Sequence, residues 1–149
     1  MTPKQYAGKL RAFYHGTLIQ NMGINVLSAG GGRAHASLKM STAVAQPTGL
    51  FHGGAIISLA DTTATSACLA ETNPDCEPRS DLFPLAIQIS SNFLRNTNEG
   101  SLNADAEIIH HGRTTMVVNV RVADERGKLV ANVVVTLLVP PGVSAQVRE

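Results

Sequence analysis

Hydrophobic and polar positions alternate with a period of two along much of this 149-residue chain. Every second residue is apolar from Arg33 to Met40, and again from Leu85 to Phe93 with the exception of Ser91, which is typical of strands with one face toward water. The same alternation recurs over residues 102–108, and apolar runs over 115–122 and 129–139 predict two more strands. The pattern therefore predicts a chain that is dominated by β-structure in its second half.

Two segments break the alternation and predict helices. Residues 3–20 begin with Pro3, which suits a first helical turn, and carry an apolar face. The residues of that face are Tyr6, Leu10, Phe13 and Leu18. Residues 52–70 are small or apolar at nearly every position and contain no proline, which predicts a buried central helix. Between them, the glycine triplet 30–32 follows the apolar run 24–27 and predicts a hairpin turn.

The order of these elements indicates an α+β fold: a helix, two strands, a buried helix and four strands. Short loops predict that the last four strands are antiparallel neighbours in one sheet wrapped around the central helix. We expect residues 1–149 to form a single domain, with 1–23 as an N-terminal helical extension. One helix does not cover both faces of such a sheet, so we also expect a dimer that extends the sheet.

Composition narrows the function classes. Hydrophobic residues make up 44% and charged residues 15%, and the formal net charge is +1, so no global field attracts a nucleic-acid backbone. The longest apolar run is far shorter than the ~20 residues that span a bilayer, and no signal peptide is visible. Two cysteines form neither a disulfide framework nor a metal knuckle. The expectation is a soluble, cytoplasmic protein without a nucleic-acid or membrane partner.

Asp61 is the only charged residue between Gly53 and Ala70. A carboxylate in an otherwise apolar helix must be paired, protonated or exposed in a functional cleft. A structural role, bonded to the backbone or to a salt-bridge partner, and a catalytic role both explain it.

The segment His52-Gly53-Gly54 stands at the predicted start of the central helix. Helix N-termini carry unpaired N–H groups and partial positive charge, and glycines let a ligand approach closely, which suits an oxyanion. Glycines that only permit a tight helix entry explain the same pattern. Gly54 and Asp61 lie about two turns, or ~10 Å, apart on one helix face. A symmetric dimer brings the donor of one subunit to the carboxylate of the other.

The string GLFHGGAIISLAD at 49–61, followed by NFLR at 92–95 and HHGRT at 110–114, closely resembles the hotdog-fold acyl-CoA thioesterases. The PaaI-type subfamily, named for phenylacetate degradation, is the most similar. The resemblance covers roughly residues 24–140. It implies an antiparallel sheet wrapped around one long central helix, an acyl-CoA substrate, no cofactor or metal, and a homodimer or homotetramer.

The resemblance also implies roles for individual residues. Gly54 N–H polarises the thioester carbonyl, Asp61 acts as nucleophile or general base, and Gln46 contributes a polar amide. His52 orients the loop or contacts the substrate. The implied substrate-binding positions are Gly53, Ala86, His111, Gly112 and Arg113, with Arg95 as a further basic candidate for the nucleotide part of CoA.

The sequence departs from the family at Ala86, where many relatives carry a Ser or Thr that helps to position water. Gln88 and Ser90 are expected on the same strand face as Ala86 and offer substitutes. Gln46 is one methylene longer than the common Asn. Two alternatives to hydrolysis stay open: a hotdog enoyl-CoA hydratase, and a non-catalytic acyl-CoA-binding module.

Overall fold

The computed structural model describes residues 1–146. The last three residues of the predicted domain, 147–149, lie outside the described residues. The helices are α1 (Pro3–Phe13), α2 (Leu18–Met22), α3 (Gly53–Thr72) and α4 (Pro141–Gln146), with 3₁₀ turns at Thr42–Val44 and Ser80–Leu82. The strands are β1 (Ile24–Gly30), β2 (Arg33–Lys39), β3 (Leu85–Phe93), β4 (Ser101–His111), β5 (Thr115–Ala123) and β6 (Leu129–Leu138).

The predicted architecture is confirmed: one six-stranded antiparallel sheet packs around α3. Helix α3 lies against strands from both halves of the sheet, and thirteen of its twenty residues are buried. The core is almost entirely aliphatic. Its largest fully buried side chains include Phe51, Leu59, Leu102 and Met116. The predicted hairpin between β1 and β2 is also confirmed, with Gly30 opposite Arg33.

The prediction that the last four strands are neighbours in chain order is wrong for β3. The strand order is β1-β2-β4-β5-β6-β3, so β3 pairs with β6 and forms one edge of the sheet. Residues 94–100 carry the chain across to β4, which pairs with both β2 and β5. A loop of this length permits either a hairpin or a crossover, so loop length alone did not decide the pairing.

The predicted single helix over 3–20 is also wrong. It divides at Gly16, whose φ of 71° is left-handed backbone that glycine adopts without strain. Thr17 then precedes the short helix α2. As a result Tyr6 and Leu10 are buried as expected, but Leu18 is 61% exposed because it lies beyond the break.

Helix α3 runs antiparallel to the edge strand β3, and two contacts fix this direction. At the start of α3, a Cβ atom on Gly53 would meet the ring of Phe93 at 3.4 Å. At its end, the Thr72 hydroxyl donates a hydrogen bond to the Leu82 carbonyl at 2.8 Å, just before β3 begins. The middle of α3, where Asp61 lies, therefore runs beside the middle of β3.

Candidate active site

The start of α3 is held by a tight loop. Gln46 N–H donates to the Leu50 carbonyl at 2.8 Å, and His52 N–H donates to the Val44 carbonyl at 2.8 Å. The Oε1 atom of Gln46 accepts from Thr48 N–H within the same loop, which leaves its amide nitrogen as a donor. The predicted site residues Gln46 and His52 thus sit on one small hydrogen-bonded structure at the helix entrance.

Asn96 fastens this loop to the sheet, and sequence reasoning missed it. Its Nδ2 donates to the Phe51 carbonyl at 2.8 Å, and its Oδ1 accepts from Phe51 N–H at 3.2 Å. The Thr97 carbonyl accepts from the same N–H at 3.2 Å. The available signal was a polar residue directly after the NFLR string, with a side chain able to pair with a peptide unit.

His52 caps α3 with its own side chain. The imidazole Nδ1 accepts a hydrogen bond from Gly54 N–H at 2.8 Å, and the His52 carbonyl accepts from Ala55 N–H at 2.9 Å. Within residues 1–146, Gly53 N–H donates to no protein group. The helix N-terminus therefore offers Gly53 N–H as a free donor, while Gly54 N–H, the predicted donor, is engaged by His52.

Asp61 lies seven residues beyond Gly54 on α3 and is partly exposed. Its Oδ1 atom is buried and makes no hydrogen bond with any described residue. Burial raises the pKa of the Asp61 carboxyl above its ordinary value, because the charged form loses its hydration. A structural salt bridge therefore does not account for this carboxylate.

The hydroxyl groups of α3 do not pair with Asp61. Ser58 donates to the Gly54 carbonyl at 2.8 Å, Thr63 to the Leu59 carbonyl at 2.6 Å, and Ser66 to the Thr62 carbonyl at 2.7 Å. Such back-bonding satisfies a Ser or Thr inside a helix, and the Ser66 hydroxyl has a second partner in the Tyr14 hydroxyl at 2.9 Å. It leaves the Asp61 carboxylate free to act on a ligand or a water.

Ser91 is a second polar group that sequence reasoning missed. It pairs with the buried Val133, so its side chain lies on the helix-facing side of β3. Its Oγ is buried and, among the described residues, has no hydrogen-bond partner. The signal was a serine at an inward position of an otherwise apolar strand face.

The substrate-binding residues predicted on β3 and β4 lie at the opposite end of the sheet from Gly53. A row of paired residues runs from Ala86 through Leu137 and Met116 to His111. Phe93, which contacts Gly53, lies seven residues along β3 from Ala86. Within one protomer, the structure therefore does not bring His111, Gly112 and Arg113 to Gly53 and Gly54.

A β-bulge at Ile87 overturns one expectation about Ala86. Ala86 pairs with the buried Leu137, but Gln88 pairs with Thr136, whose side chain lies on the other face. Gln88 and Ser90 therefore do not share the face of Ala86, because the extra residue in the bulge shifts the alternation by one. Neither side chain substitutes for the missing hydroxyl at that position.

His111 and Arg113 are exposed, His111 at the end of β4 and Arg113 within the tight turn that follows it. Gly112 N–H donates to the Thr115 carbonyl at 2.8 Å, and a Cβ atom on Gly112 would lie 2.6 Å from Nε2 of His110. The backbone limit is the Thr115 carbonyl oxygen, which a Cβ atom on Gly112 would approach to 3.1 Å, so the turn favours glycine. His110 pairs with Val117 and His111 with Met116, so the two histidines point to opposite faces of the sheet.

Arg95 lies at the Gly53 end of the sheet, on a polar groove of about 580 Å³. Its guanidinium donates to the Leu129 carbonyl at 3.3 Å. The other charged residues of the groove are Glu99, Asp124, Glu125, Arg126 and Lys128. Acidic and basic groups balance there, so the groove has no net attraction for a phosphate.

Cys68 does not suit a nucleophile. It is fully buried in α3, and burial raises the pKa of its thiol to about 12. Reactive cysteines lie in exposed, electropositive surroundings instead. Cys68 is therefore a core residue.

Comparison with known proteins decides the family. Residues 48–131 match the model of the thioesterase superfamily, and this range includes the α3 entrance, Asp61 and the edge strand β3. The chain belongs to the thioesterase superfamily. The predicted family, fold and enzyme class, a thioester hydrolase, are thus confirmed.

Two relatives of this thioesterase have names that state an enzymatic activity. It is 31% identical over 112 residues to a 1,4-dihydroxy-2-naphthoyl-CoA hydrolase of Listeria monocytogenes, covering 75% of this chain and 86% of the relative. It is 29% identical over 119 residues to the proofreading thioesterase EntH of Cronobacter turicensis, covering 80% and 82%. The fold is shared with the PaaI protein of E. coli at a TM-score of 0.77 and 24% identity, covering 92% and 95%.

Nothing in the described part of this thioesterase suggests a membrane-spanning helix, because no helix within residues 1–146 is both long and apolar enough.

Proposed function

We propose that this thioesterase hydrolyses an acyl-CoA to the free acid and CoA, with Asp61 as nucleophile or as general base on water. The observation that carries the proposal is the Asp61 carboxylate, whose Oδ1 is buried without a partner among the described residues. A carboxylate in this state is more basic than an exposed one, which suits proton removal from water. The 1,4-dihydroxy-2-naphthoyl-CoA hydrolase relative supports a CoA thioester as substrate.

The oxyanion that forms on the thioester carbonyl needs a preorganised donor. The family resemblance implies Gly54 in this role, but its N–H is engaged by His52 in the free protein. Gly53 N–H, in the same first turn of α3, has no protein partner within residues 1–146. We therefore assign the first contact to Gly53, with Gly54 joining when the carbonyl oxygen displaces the imidazole. The Gln46 amide nitrogen is a third donor at this entrance.

The site requires two copies of the chain. Gly54 and Asp61 are separated by about 10 Å of helix rise, too far to act on one carbonyl group. The edge strand β3 exposes Leu85 (63%), Ile87 (55%), Ile89 (36%) and Phe93 (49%), and an exposed apolar edge of this length is a template for strand pairing. Antiparallel pairing of β3 with a second β3 covers this edge and extends the sheet.

Pairing centred on Ser91 sets Ile89 opposite the partner subunit's Phe93. Both side chains lie on the helix-facing side of the sheet, because Ile89 and Phe93 pair with the buried Val135 and Ala131. The partner subunit's Gly53 then approaches the middle of β3. His111 lies beyond it, three strand spacings or about 14 Å across the sheet from Ala86. Arg113 and His111 become candidates for the phosphates at the far end of the CoA arm. The same pairing brings the partner subunit's oxyanion donors toward Asp61.

The decisive experiment measures thiol release from aryl, short-chain and medium-chain acyl-CoAs, comparing the wild type with Asp61→Asn. We expect a loss of roughly 10²–10⁴ in kcat for the variant on any substrate that the wild type hydrolyses. Equal rates remove Asp61 from the mechanism. Saturable binding without turnover by the wild type instead favours the acyl-CoA-binding module.

The donor assignment is tested by Gly53→Pro with Gly53→Ala as the matched control. Proline suits the first helical position and the extended backbone of His52 before it, so it removes the N–H without breaking α3. Alanine keeps the N–H, and its Cβ makes an ordinary contact with Phe93 at 3.4 Å. We expect Gly53→Pro to lower kcat by 10²-fold or more and Gly53→Ala by much less.

The nucleotide contact is tested by Arg113→Ala against Arg121→Ala, an exposed arginine in the middle of β5. We expect Arg113→Ala to raise KM for an acyl-CoA but not for the same acyl group on pantetheine, which lacks the nucleotide. An equal rise for both thioesters contradicts a phosphate contact.

A further inference from the structure

Ser91 is the one polar residue on the helix-facing side of β3 between the bulge and the end of the strand. Its neighbours on that side are Ile89 and Phe93, and all three pair with buried residues of β6. The Ser91 Oγ is buried and has no hydrogen-bond partner within residues 1–146. A buried hydroxyl without a partner costs free energy, so the fold of one chain does not explain this serine.

A second copy of the same serine is a suitable partner for Ser91. A serine hydroxyl both donates and accepts, so it is complementary to itself. Directly opposite residues of antiparallel strands lie on the same face, with Cβ atoms ~4.5–5.5 Å apart. Two opposed serines therefore reach each other once each hydroxyl turns about its Cα–Cβ bond toward the edge. Within residues 1–146 this edge of β3 pairs with no strand, and Ser91 as a whole is only partly buried.

Only one alignment of two antiparallel β3 strands gives the Ser91 hydroxyl this partner. A two-fold axis through Ser91 sets it opposite the partner subunit's Ser91. An axis through Ser90 sets Ser91 opposite the partner subunit's Ile89. An axis through Asn92 sets it opposite the partner subunit's Phe93. Both alternatives leave two hydroxyls against apolar side chains, and each unpaired hydroxyl disfavours them by about tenfold.

The register of this pairing decides whether the two halves of the proposed site meet. Moving the axis by one residue displaces the partner strand by two residues, or ~7 Å along β3. Gly53 moves with its own strand, because it packs against Phe93. A misplacement of ~1 Å already impairs catalysis, so the other registers separate Asp61 from the oxyanion donors of the second chain.

We propose that Ser91 sets the register of the dimer: its hydroxyl pairs with the partner subunit's Ser91 on the two-fold axis and thereby holds Asp61 beside the oxyanion donors of the other chain. The inference rests on the proposed function, whose site is shared between two protomers. Ser91 is a positioning residue in this arrangement, since it acts through the alignment of the strands. An aliphatic residue at this position would not discriminate among the registers.

Disulfide formation measures the register directly. Opposite residues of antiparallel strands have Cα atoms ~4.5–5.5 Å apart, which a disulfide spans. We expect Ser91→Cys to form a covalent dimer on mild oxidation, detected by non-reducing electrophoresis. Ser90→Cys is the matched control and should not link, because its own copy is displaced by two residues along the strand. The native Cys68 and Cys76 are buried, so the wild type should not link either.

The role of the hydroxyl is tested by Ser91→Ala. This change removes the discrimination among registers, so the double variant Ser90→Cys/Ser91→Ala should link where Ser90→Cys alone does not. We expect Ser91→Ala to remain dimeric with kcat lowered about tenfold and KM unchanged, because displaced dimers lack a complete site. Ser91→Thr keeps the hydroxyl and should retain the kcat of the wild type.

The proposal is overturned if Ser91→Cys does not link, or if Ser90→Cys links without a second change, since the axis then lies elsewhere. It is also overturned if Ser91→Ala leaves the linking of Ser90→Cys unchanged, because the hydroxyl then does not set the register. Failure of the proposed function looks different: Asp61→Asn then releases thiol at the wild-type rate, whichever cysteine variant links.

Discussion

The imidazole Nδ1 of His52 accepts a hydrogen bond from Gly54 N–H at 2.8 Å, so a candidate catalytic side chain occupies a candidate oxyanion donor. The bond is an N-cap, and it compensates one of the unpaired N–H groups at the start of α3. A substrate carbonyl that reaches Gly54 must take the place of the ring. Stability of the free helix and access to the donor therefore oppose each other at this residue.

This opposition predicts different orders of stability and activity for two His52 variants. Asparagine is a strong N-cap and alanine a weak one. We therefore expect the free energy of unfolding of His52→Asn to exceed that of His52→Ala by about 1 kcal/mol. The uncapped Gly54 N–H in His52→Ala is free for the substrate, so its kcat/KM should exceed that of His52→Asn. Urea unfolding and thiol release measure the two orders, and a more active His52→Asn contradicts competition for Gly54.

Asp61→Asn should stabilise the protein in a pH-dependent way. Burial raises the folded pKa of Asp61 above its ordinary value of 3.8, so the folded state binds more protons than the unfolded state between the two values. The free energy of unfolding of the wild type therefore falls as the pH rises from 3.8 through the raised pKa. Asp61→Asn does not lose stability in this way. The difference in free energy of unfolding between the variant and the wild type therefore grows across that pH window and is constant above it.

Denaturant unfolding at a series of pH values measures this difference, with Asp75→Asn as a control at an exposed aspartate. The kcat of the wild type should rise with pH over the same window, because only the ionised carboxylate serves as nucleophile or base. If the stability of Asp61→Asn exceeds that of the wild type most at low pH, the pH dependence has the opposite sign. Desolvation of the Asp61 carboxylate is then excluded as the dominant effect.

Asn96 should act as a positioning residue for the α3 entrance. Asn96→Leu removes both hydrogen bonds to Phe51, and we expect a loss of about 1–2 kcal/mol in the free energy of unfolding. Because the loop carries Gln46 and His52, we expect kcat of Asn96→Leu to fall about tenfold. KM should change by a smaller factor. Asn96→Asp keeps the acceptor oxygen and should recover part of the rate.

Asn98→Leu, at an exposed position two residues further along the same loop, is the matched control. If Asn96→Leu and Asn98→Leu reduce kcat equally, Asn96 has no special role in holding the loop. If Asn96→Leu loses stability but keeps its kcat, its contact with Phe51 is only structural.

The edge strand β3 gives a test of the shared site. Ile87 and Ile109 are exposed to similar extents, 55% and 61%, but only Ile87 lies on β3. We expect Ile87→Lys to produce monomers in analytical ultracentrifugation and to lower kcat by 10²-fold or more, because each site needs both protomers. Ile109→Lys should remain a dimer with wild-type turnover. An active Ile87→Lys monomer would falsify the shared site.

The sequence by itself determined the element types and the chemistry at the start of α3. Alternation of apolar residues indicated the strands, and an unbroken apolar run indicated the buried helix, because both patterns follow from local backbone geometry. The His52-Gly53-Gly54 segment and Asp61 were recognisable because a helix entrance and a lone carboxylate are local features. Their spacing of about two turns also followed from helix geometry alone.

Tertiary structure alone decided which strands are neighbours and which side chains meet. The pairing of β3 with β6 depends on contacts between residues that are distant in the chain, and the bulge at Ile87 reverses the face of Gln88 without any change in the apolar pattern. The same is true of the Asn96 contact with Phe51, 45 residues away in the chain. Sequence periodicity reports the environment of each residue, but a hydrogen bond between distant segments exists only once the sheet has set their positions.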